Sequence, residues 1–369
     1  MPVNSVAYEH VNLKKVEPPT ATILADLHEN SGIHYWIMKP NDLPSDGGNV
    51  SINQLPNLEK FWQDLDRILK ISVERDRLCP KELESLWLGM RGLGQDLYER
   101  FLPVELKNHA SKWPESSVIY IGSNEERIPW ELMYDGYGFW GEKFNLARIP
   151  KIPERSGYTH ADKLIKKEKG KRISKVVNVI GGDLTDSSVE RIYRLFCVVD
   201  KSIVETKKCQ KIYTILQAME TADLIHFTCH GSIKSSPSLQ VGGNKNSPVD
   251  NLDVLDLYSL GDVSNSVIFA NACTSGRSGP LLGVLRNFGW EFYKKGADAY
   301  IGTLGLVPTK YAIEFAEQFY KKFLEGSTVG EAMSFAKSNA HRENPFWLLY
   351  CLYGNPFTCK LCPIVSKST

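Results

Sequence analysis

Two apolar segments of the sequence each lead into a reactive side chain with a glycine close behind it. The segment from Asp223 to Gly231 contains His230, and the segment from Val267 to Gly276 contains Cys273. A glycine lets the backbone turn sharply, so that a reactive side chain can project from the edge of a sheet. A histidine near a cysteine can assist thiolate formation and protonate a leaving amine. This pattern makes Cys273 a candidate nucleophile and His230 its candidate base.

Acyl transfer also requires donors for the oxyanion that forms during attack. The backbone amides of Gly231 and Cys273 lie at predicted loop positions and are candidates for this role. The two reactive residues are 43 positions apart, and neighbouring strands could bring them together. Cysteine and histidine are also common in protein cores, so a purely structural interpretation of the pair stays open on spacing alone.

Several segments of the sequence, taken together, resemble the CHAT-domain peptidases, caspase-like cysteine proteases that are also similar to separases. The resemblance runs in order over roughly residues 115 to 358. The segments that carry it are HFTCHG (226–231), FANACTSG (269–276), RIPWEL (127–132), FNLARIP (144–150), GADAYIGT (296–303) and residues 346–356. It implies a catalytic dyad of His230 and Cys273, and no cofactor or metal.

The resemblance also implies a pocket for the substrate residue before the cut. In the related caspases the residue two positions before the nucleophile lines this pocket, and here that residue is Asn271. The loop that contains Asp183 contributes to the same pocket in that clan. Asp183 would favour Lys or Arg substrates if it lines the pocket. If Asp183 only caps the following helix, a neutral residue such as Leu or Met is expected.

The order of predicted elements indicates an α/β protein. The second half alternates strands and helices, including a strand at Val176 to Ile180, a helix at Leu281 to Lys295 and a last strand at Trp347 to Tyr353. Such alternation is typical of a mainly parallel sheet with helices on both faces. The resemblance sharpens this fold class to a caspase-like three-layer sandwich, preceded by a smaller inactive α/β half.

Changes in composition suggest the domain boundaries. The expected organisation is a flexible tail (1–20), an N-terminal pseudo-protease-like half (21–162), a basic linker (163–175), a catalytic CHAT domain (176–358) and a C-terminal tail (359–369). The basic segment contains no interleaved aromatic residues for stacking on bases, so a solvated linker is favoured over a nucleic-acid site.

Single residues near the motifs have simpler interpretations. His226 lies four positions before His230, but its segment resembles a strand and no third metal ligand follows, so we expect a hydrogen-bonded strand residue rather than a zinc ligand. Cys229 should point away from His230 into the core, because side chains alternate along a strand. Cys359 and Cys362 form an isolated CxxC, which neither a redox helix nor a second cysteine pair accompanies.

Composition excludes several function classes. The formal charge is only +1, whereas proteins that coat nucleic acid or anionic membranes carry a basic excess. Apolar residues make up 42% of the chain, which argues against wholesale disorder. The N-terminus lacks a signal-peptide pattern, and eight cysteines are too few for a disulfide scaffold in a chain of 369 residues. We therefore expect a cytoplasmic protein with reduced thiols.

These expectations combine into a regulated cysteine endopeptidase. Its substrate would be one specific protein, such as a gasdermin or a CRISPR-associated factor, in bacterial defence or programmed cell death. A regulatory protein partner is expected, without membrane or direct nucleic-acid partners, and the tandem arrangement predicts a monomer. The alternative is a catalytically silent CHAT module that serves as an interaction scaffold, which an intact His230 and Cys273 pair disfavours.

Overall fold

Strands and helices alternate along most of the chain. The computed structural model describes residues 19–40, 44–73, 79–149, 171–181, 186–196, 201–208, 210–234, 236–242, 250–281, 284–340 and 344–361. The longer strands are β1 (Ala21–His28), β2 (Gly32–Met38), β3 (Ser45–Ser51), β4 (Val118–Ser123), β5 (Asn145–Ile149), β7 (Val176–Ile180), β8 (Val204–Lys208), β9 (Leu224–Thr228), β13 (Val267–Asn271), β16 (Ala299–Thr303) and β17 (Tyr350–Gly354).

Shorter strands lie around the reactive loops and at the C-terminus: β6 (Lys171–Arg172), β10 (His230–Ile233), β11 (Pro237–Gln240), β12 (Asn251–Asp253), β14 (Gly279–Leu281), β15 (Val284–Arg286) and β18 (Lys360–Leu361). The helices are α1 (Leu58–Val73), α2 (Pro80–Phe101), α3 (Val104–Ala110), α4 (Trp140–Lys143), α5 (Asp186–Arg194), α6 (Ile212–Met219), α7 (Phe288–Lys294), α8 (Thr309–Phe323) and α9 (Val329–Asn339).

The longer strands form one sheet in the order β3-β2-β1-β4-β5-β17-β16-β13-β9-β7-β8. Neighbours are parallel except for the β2 pairs with β1 and β3, and the β16–β17 pair. This arrangement confirms the predicted mixed α/β fold with a large, mainly parallel sheet. The predicted N-terminal and catalytic halves therefore share one continuous sheet, because β5 pairs in parallel with β17.

Helices cover both faces of the sheet near the reactive loops. On β9, His226 contacts Tyr320 of α8, whereas its neighbour Phe227 contacts Phe292 of α7 on the opposite face. Alternating side chains of one strand thus bury themselves against different helices. The buried face of α8 is the one that its periodicity predicts: Ile313, Ala316, Phe319, Tyr320 and Phe323.

Two predicted elements differ in the structure. The expected helix from Leu281 to Lys295 begins only at Phe288, because residues before it form the β14–β15 hairpin. Asn287 caps that helix by accepting a hydrogen bond from the Trp290 amide. The expected last strand starts at Tyr350 rather than Trp347, after a 3-10 turn over Phe346–Leu349. A short run of apolar residues does not distinguish a turn from a strand.

The predicted linker and C-terminal tail fall largely outside the described residues. Their described parts pair with each other, since β18 runs parallel to β6.

Candidate active site

The two reactive residues leave the same edge of the sheet. Strands β9 and β13 are parallel neighbours, with Thr228 opposite Asn271 at their carboxyl ends. His230 and Cys273 each follow two positions after this pair. The loops that carry them are in direct contact, since a Cβ atom on Gly231 would lie only 2.0 Å from the Cys273 carbonyl oxygen. Glycine at 231 is therefore required by the close approach of two backbones.

Side-chain hydroxyls fix the loop that carries Cys273. Ser275 Oγ donates to the Ala270 carbonyl at 2.9 Å, and Thr303 Oγ1 donates to the Ala272 carbonyl at 2.7 Å. Two buried tyrosine hydroxyls bind carbonyls further along the loop: Tyr300 that of Ser275 and Tyr353 that of Gly276, both at 2.8 Å. A side chain on a loop with this many hydrogen bonds is held in a fixed position.

Thr274, the residue after Cys273, has an unusual backbone conformation. Thr274 has a φ of 57°, in the left-handed region that β-branched residues rarely adopt. Its amide donates to the Gly305 carbonyl at 3.1 Å, whereas its buried hydroxyl has no hydrogen-bond partner among the described residues. Such a conformation costs on the order of 1–3 kcal/mol and persists where the surrounding structure enforces it. Functional sites are a common location for this kind of strain.

The Cys273 thiol is half-buried and contacts the main chain of one residue. The Val307 amide donates to Cys273 Sγ at 3.5 Å, and Sγ also lies 3.7 Å from the Val307 carbonyl oxygen. Burial raises the pKa of the Cys273 thiol, although the hydrogen bond from Val307 opposes this effect. Formation of a thiolate therefore depends on a base.

Of the two candidate oxyanion donors, Gly231 lies within β10 rather than in a loop, and Cys273 follows β13 by two residues. No acceptor within the described residues takes a backbone–backbone hydrogen bond from the Cys273 amide. The candidate base, His230, is exposed at the start of β10, and no described residue forms a hydrogen bond with its ring. Pairing of β10 with β11 holds its backbone, with His230 opposite Gln240.

A cleft with a volume of about 40 Å³ opens beside the thiol. Its described lining residues are Thr228, Cys229, His230, Asn271, Ala272, Cys273, Thr303, Val307, Thr309 and Ala312. Apart from His230 and the two cysteines, this lining carries no ionisable side chain. The cleft as described is therefore neutral and weakly polar.

The two predicted pocket residues have different outcomes in the structure. Asn271 borders the cleft with only 4% of its surface exposed. Its amide Nδ2 donates to the Ala312 carbonyl at 2.9 Å, and its Oδ1 accepts from the Tyr350 hydroxyl at 2.7 Å. The orientation of Asn271 is thus fixed on both sides. Asp183 lies outside the described residues, so its two alternative roles stay predictions.

Seven of the ten cleft residues were not predicted as site residues: Thr228, Cys229, Ala272, Thr303, Val307, Thr309 and Ala312. Thr228 could have been found, because it precedes His230 by two positions on a strand and so shares its face. Val307, Thr309 and Ala312 follow β16 and reach the cleft only through the packing of α8. No local pattern marks them as site residues.

His226 and Cys229, two residues that precede His230 in the sequence, are both buried. His226 is fully buried and hydrogen-bonded to Tyr320 and Thr228, which confirms the prediction of a hydrogen-bonded strand residue. Cys229 is buried at the back of the cleft, and burial raises the pKa of its thiol. Among the described residues there is no group of three or more side chains that could hold a metal ion.

A sequence profile of the CHAT domain matches residues 91–354, which is well over half of the chain. The protein therefore belongs to the CHAT domain family. No curated protein sequence matches the chain.

Two solved structures of a separase complex show the same fold at low sequence identity. The Saccharomyces cerevisiae separase–securin complex matches 91% of this chain and 30% of the other, at 11% identity and a TM-score of 0.57. A second structure of that complex matches 92% and 30%, at 12% identity and a TM-score of 0.55. The Porphyromonas gingivalis RgpB pro- and mature domains match 81% of this chain and 77% of the other, at 11% identity and a TM-score of 0.40.

The chain thus has a caspase-like fold of the cysteine-peptidase type, and it spans only 30% of the separase-complex chain that it matches. Within the described residues, no helix is both long and apolar enough to cross a lipid bilayer.

Proposed function

We propose that this protein is a cysteine endopeptidase in which Cys273 is the nucleophile and His230 the general base and acid. His230 takes the thiol proton, and the thiolate attacks the carbonyl carbon of the scissile bond. The amides of Gly231 and Cys273 bind the oxyanion. His230 then protonates the leaving amine, and the C–N bond breaks to leave a thioester. Water, deprotonated by His230, hydrolyses the thioester and restores the thiol.

The observation that carries this proposal is the contact between the two loops at the ends of β9 and β13. It joins a strained, heavily hydrogen-bonded nucleophile loop to the loop of an exposed histidine. The hydroxyl of Thr303 and the amide of Val307 support the nucleophile loop and its thiol. A neutral cleft next to the thiol supplies room for a substrate side chain.

The cut would be limited to a specific protein rather than directed at bulk protein. The half-buried thiol and the narrow cleft support this view, because a folded protein must present an exposed segment to reach Sγ. A role in bacterial defence or programmed cell death, with a gasdermin or a CRISPR-associated factor as substrate and a regulatory partner, belongs to this proposal. We also propose that the protein is a monomer, because β5 already covers the edge of β17. A cytoplasmic location is a further part of this proposal.

N-terminal profiling of proteins in cells that produce the protein tests the activity. Wild type should generate new protein N-termini, whereas Cys273→Ala and His230→Ala should lower their formation by on the order of 10²-fold or more. Cys79→Ala is the matched control, because Cys79 is exposed and distant in sequence from the site. Melting curves should show that all three variants fold.

An equal set of new N-termini in wild type and Cys273→Ala would exclude the dyad. The absence of new N-termini in wild type would favour the second candidate, a silent scaffold.

A further inference from the structure

A chain of three hydrogen-bonded side chains leads from the core to the cleft. The Tyr320 hydroxyl of α8 lies 3.0 Å from His226 Nδ1, and His226 Nε2 lies 2.8 Å from Thr228 Oγ1. Tyr320 and His226 are completely or almost completely buried, and Thr228 lines the cleft. The proposed mechanism uses none of these three side chains.

The direction of donation along this chain follows from the hydrogens available. Within the described residues, the ring of His226 is the only partner of the Tyr320 hydroxyl. A buried hydroxyl that donates to nothing loses free energy, so Tyr320 donates to Nδ1. The proton of the ring is then on Nε2 and is donated to Thr228 Oγ1. Burial lowers the pKa of His226 to about 3, which keeps the ring neutral.

The Thr228 hydroxyl is consequently left with a hydrogen to donate. Its oxygen accepts from His226, and no described residue accepts the hydrogen. Asn271 lies opposite Thr228 in the sheet register and also has a hydrogen left to donate. One Nδ2 hydrogen of Asn271 goes to the Ala312 carbonyl, and the second has no acceptor among the described residues. Two donors therefore lie side by side at the bottom of the cleft.

A substrate must place its residue before the cut in this cleft. When the scissile carbonyl carbon contacts Sγ, the Cβ atom of that residue is only two bonds away from the carbon. Its side chain must then enter space next to Cys273, and the cleft beside the thiol is lined by Thr228 and Asn271.

We propose that Thr228 and Asn271 form a donor pair that selects an uncharged, oxygen-bearing side chain, an amide or a hydroxyl, directly before the scissile bond. This inference rests on the proposed peptidase function and narrows its substrate class. An apolar residue such as Leu or Met would leave both donors unpaired, which a binding site discriminates against strongly. A carboxylate would meet no cation in the described lining apart from His230, and burial of an unpaired charge is costly.

Tyr320 and His226 act as positioning residues in this arrangement. They do not contact substrate, but they fix which way the Thr228 hydrogen points. A chain of hydrogen bonds also polarises its last donor.

Peptides that differ only in the residue before the cut test the proposal. Asn is compared with Leu, Gln with Met, and Thr with Val, because the members of each pair have similar shapes. For wild type, kcat/KM should be about tenfold or more higher for the oxygen-bearing member. Thr228→Val keeps the volume and should lower the ratio severalfold, because only the Asn271 donor remains, whereas Thr228→Ser should retain it.

A variant in the core tests the positioning role. Tyr320→Phe should reduce the preference part of the way, since both tautomers of His226 become accessible. Tyr120→Phe is the matched control, a buried tyrosine whose hydroxyl contacts Asn355 instead. Nitrogen-15 NMR of the His226 ring reports the tautomer directly, with a proton on Nε2 in wild type and a mixture in Tyr320→Phe.

The outcomes separate the two proposals. Cleavage of Leu or Met peptides at least as fast as their polar partners, or an unchanged preference in Thr228→Val, would overturn the donor pair while leaving the peptidase intact. If wild type hydrolyses no peptide, peptidyl chloromethyl ketones with the same residue pairs still measure binding by their rates of labelling Cys273, because the thiolate displaces chloride from the bound reagent. Equal labelling rates would then overturn the donor pair, and unequal rates in its favour would leave only hydrolysis in doubt.

Discussion

The sheet has two comparable edges with different contents. In the catalytic half, the carboxyl ends of β9 and β13 open into the cleft beside Cys273. In the N-terminal half, the carboxyl end of β5 carries Arg148, and a short turn places Glu131 against it. Both charged side chains are almost completely buried, with Arg148 Nε donating to Glu131 Oε1 at 3.2 Å. The same kind of edge is open in one half and filled in the other.

This contrast shows that the topology of parallel strands offers a position for a site without determining its use. Burial by itself lowers the pKa of Arg148, but its interactions with Glu131, Tyr353 and Cys351 together raise that pKa. Arg148 and Glu131 thus form a buried ion pair that fills the space at the carboxyl end of β5. At the catalytic edge, small neutral side chains leave room, and the reactive groups there keep free hydrogen-bonding capacity.

The largest expected effect comes from breaking the filled edge. Glu131→Gln leaves Arg148 buried without its counter-charge, which should lower the free energy of unfolding by about 3–5 kcal/mol. Denaturant unfolding measures the loss. The matched control is Glu190→Gln, which removes an exposed ion pair with Arg194 and should change stability by less than about 1 kcal/mol. Equal effects of the two changes would mean that the filled edge is not held by its charge pair.

Much of the catalytic edge could be predicted from sequence because its signals are local. A short apolar strand that ends in a reactive residue and glycine is a contiguous pattern, and both such strands, β9 and β13, lie where expected. Helix α2 likewise begins at Pro80, a residue that is favoured in the first turn of a helix.

The parts that could not be predicted depend on contacts distant in sequence. The pairing of β5 with β17 joins residues about two hundred positions apart, and nothing in either strand specifies its neighbour. Val307 reaches the thiol through the path of the chain after β16. The β14–β15 hairpin lies where a helix was predicted, and Glu126 from the N-terminal half accepts hydrogen bonds from Ser278 and Asn287 on either side of it.

Glu126 lies at the border of the N-terminal and catalytic halves, and its ionisation should make the stability of the fold depend on pH. Burial raises the pKa of its carboxyl group to about 7, from an ordinary value of 4.5. Between these two values the folded protein holds a proton that the unfolded chain releases. Stability contributed by this group is therefore complete below pH 4.5, falls as the pH rises to 7 and is constant above that.

The expected loss from Glu126 is up to about 3 kcal/mol, since one pKa unit corresponds to about 1.4 kcal/mol. Glu126→Gln keeps an oxygen that can accept from Ser278 and Asn287 but cannot ionise. It should match wild type in stability near pH 4 and exceed it at pH 8. Unfolding curves at both pH values measure this, with the exposed Glu142→Gln as control. A stability gain for Glu126→Gln that is the same at both pH values would contradict the raised pKa.

The smallest expected change in stability comes from filling the open edge at one position. Gly231→Ala adds a Cβ atom that would lie 2.0 Å from the Cys273 carbonyl oxygen, so one of the two loops must move. We expect a loss of about 1–3 kcal/mol, as for other overpacked sites. Movement of the proposed oxyanion donors should lower cleavage while the thiol still reacts with a small alkylating agent.

Gly92→Ala is the matched control, because nothing lies within 4 Å of its added Cβ. On helix α2 it should stabilise the fold by up to about 1 kcal/mol and leave cleavage unchanged. If Gly231→Ala cleaves as fast as wild type, the contact between the two loops does not position the oxyanion site, and the difference between the open and the filled edge lies in the side chains alone.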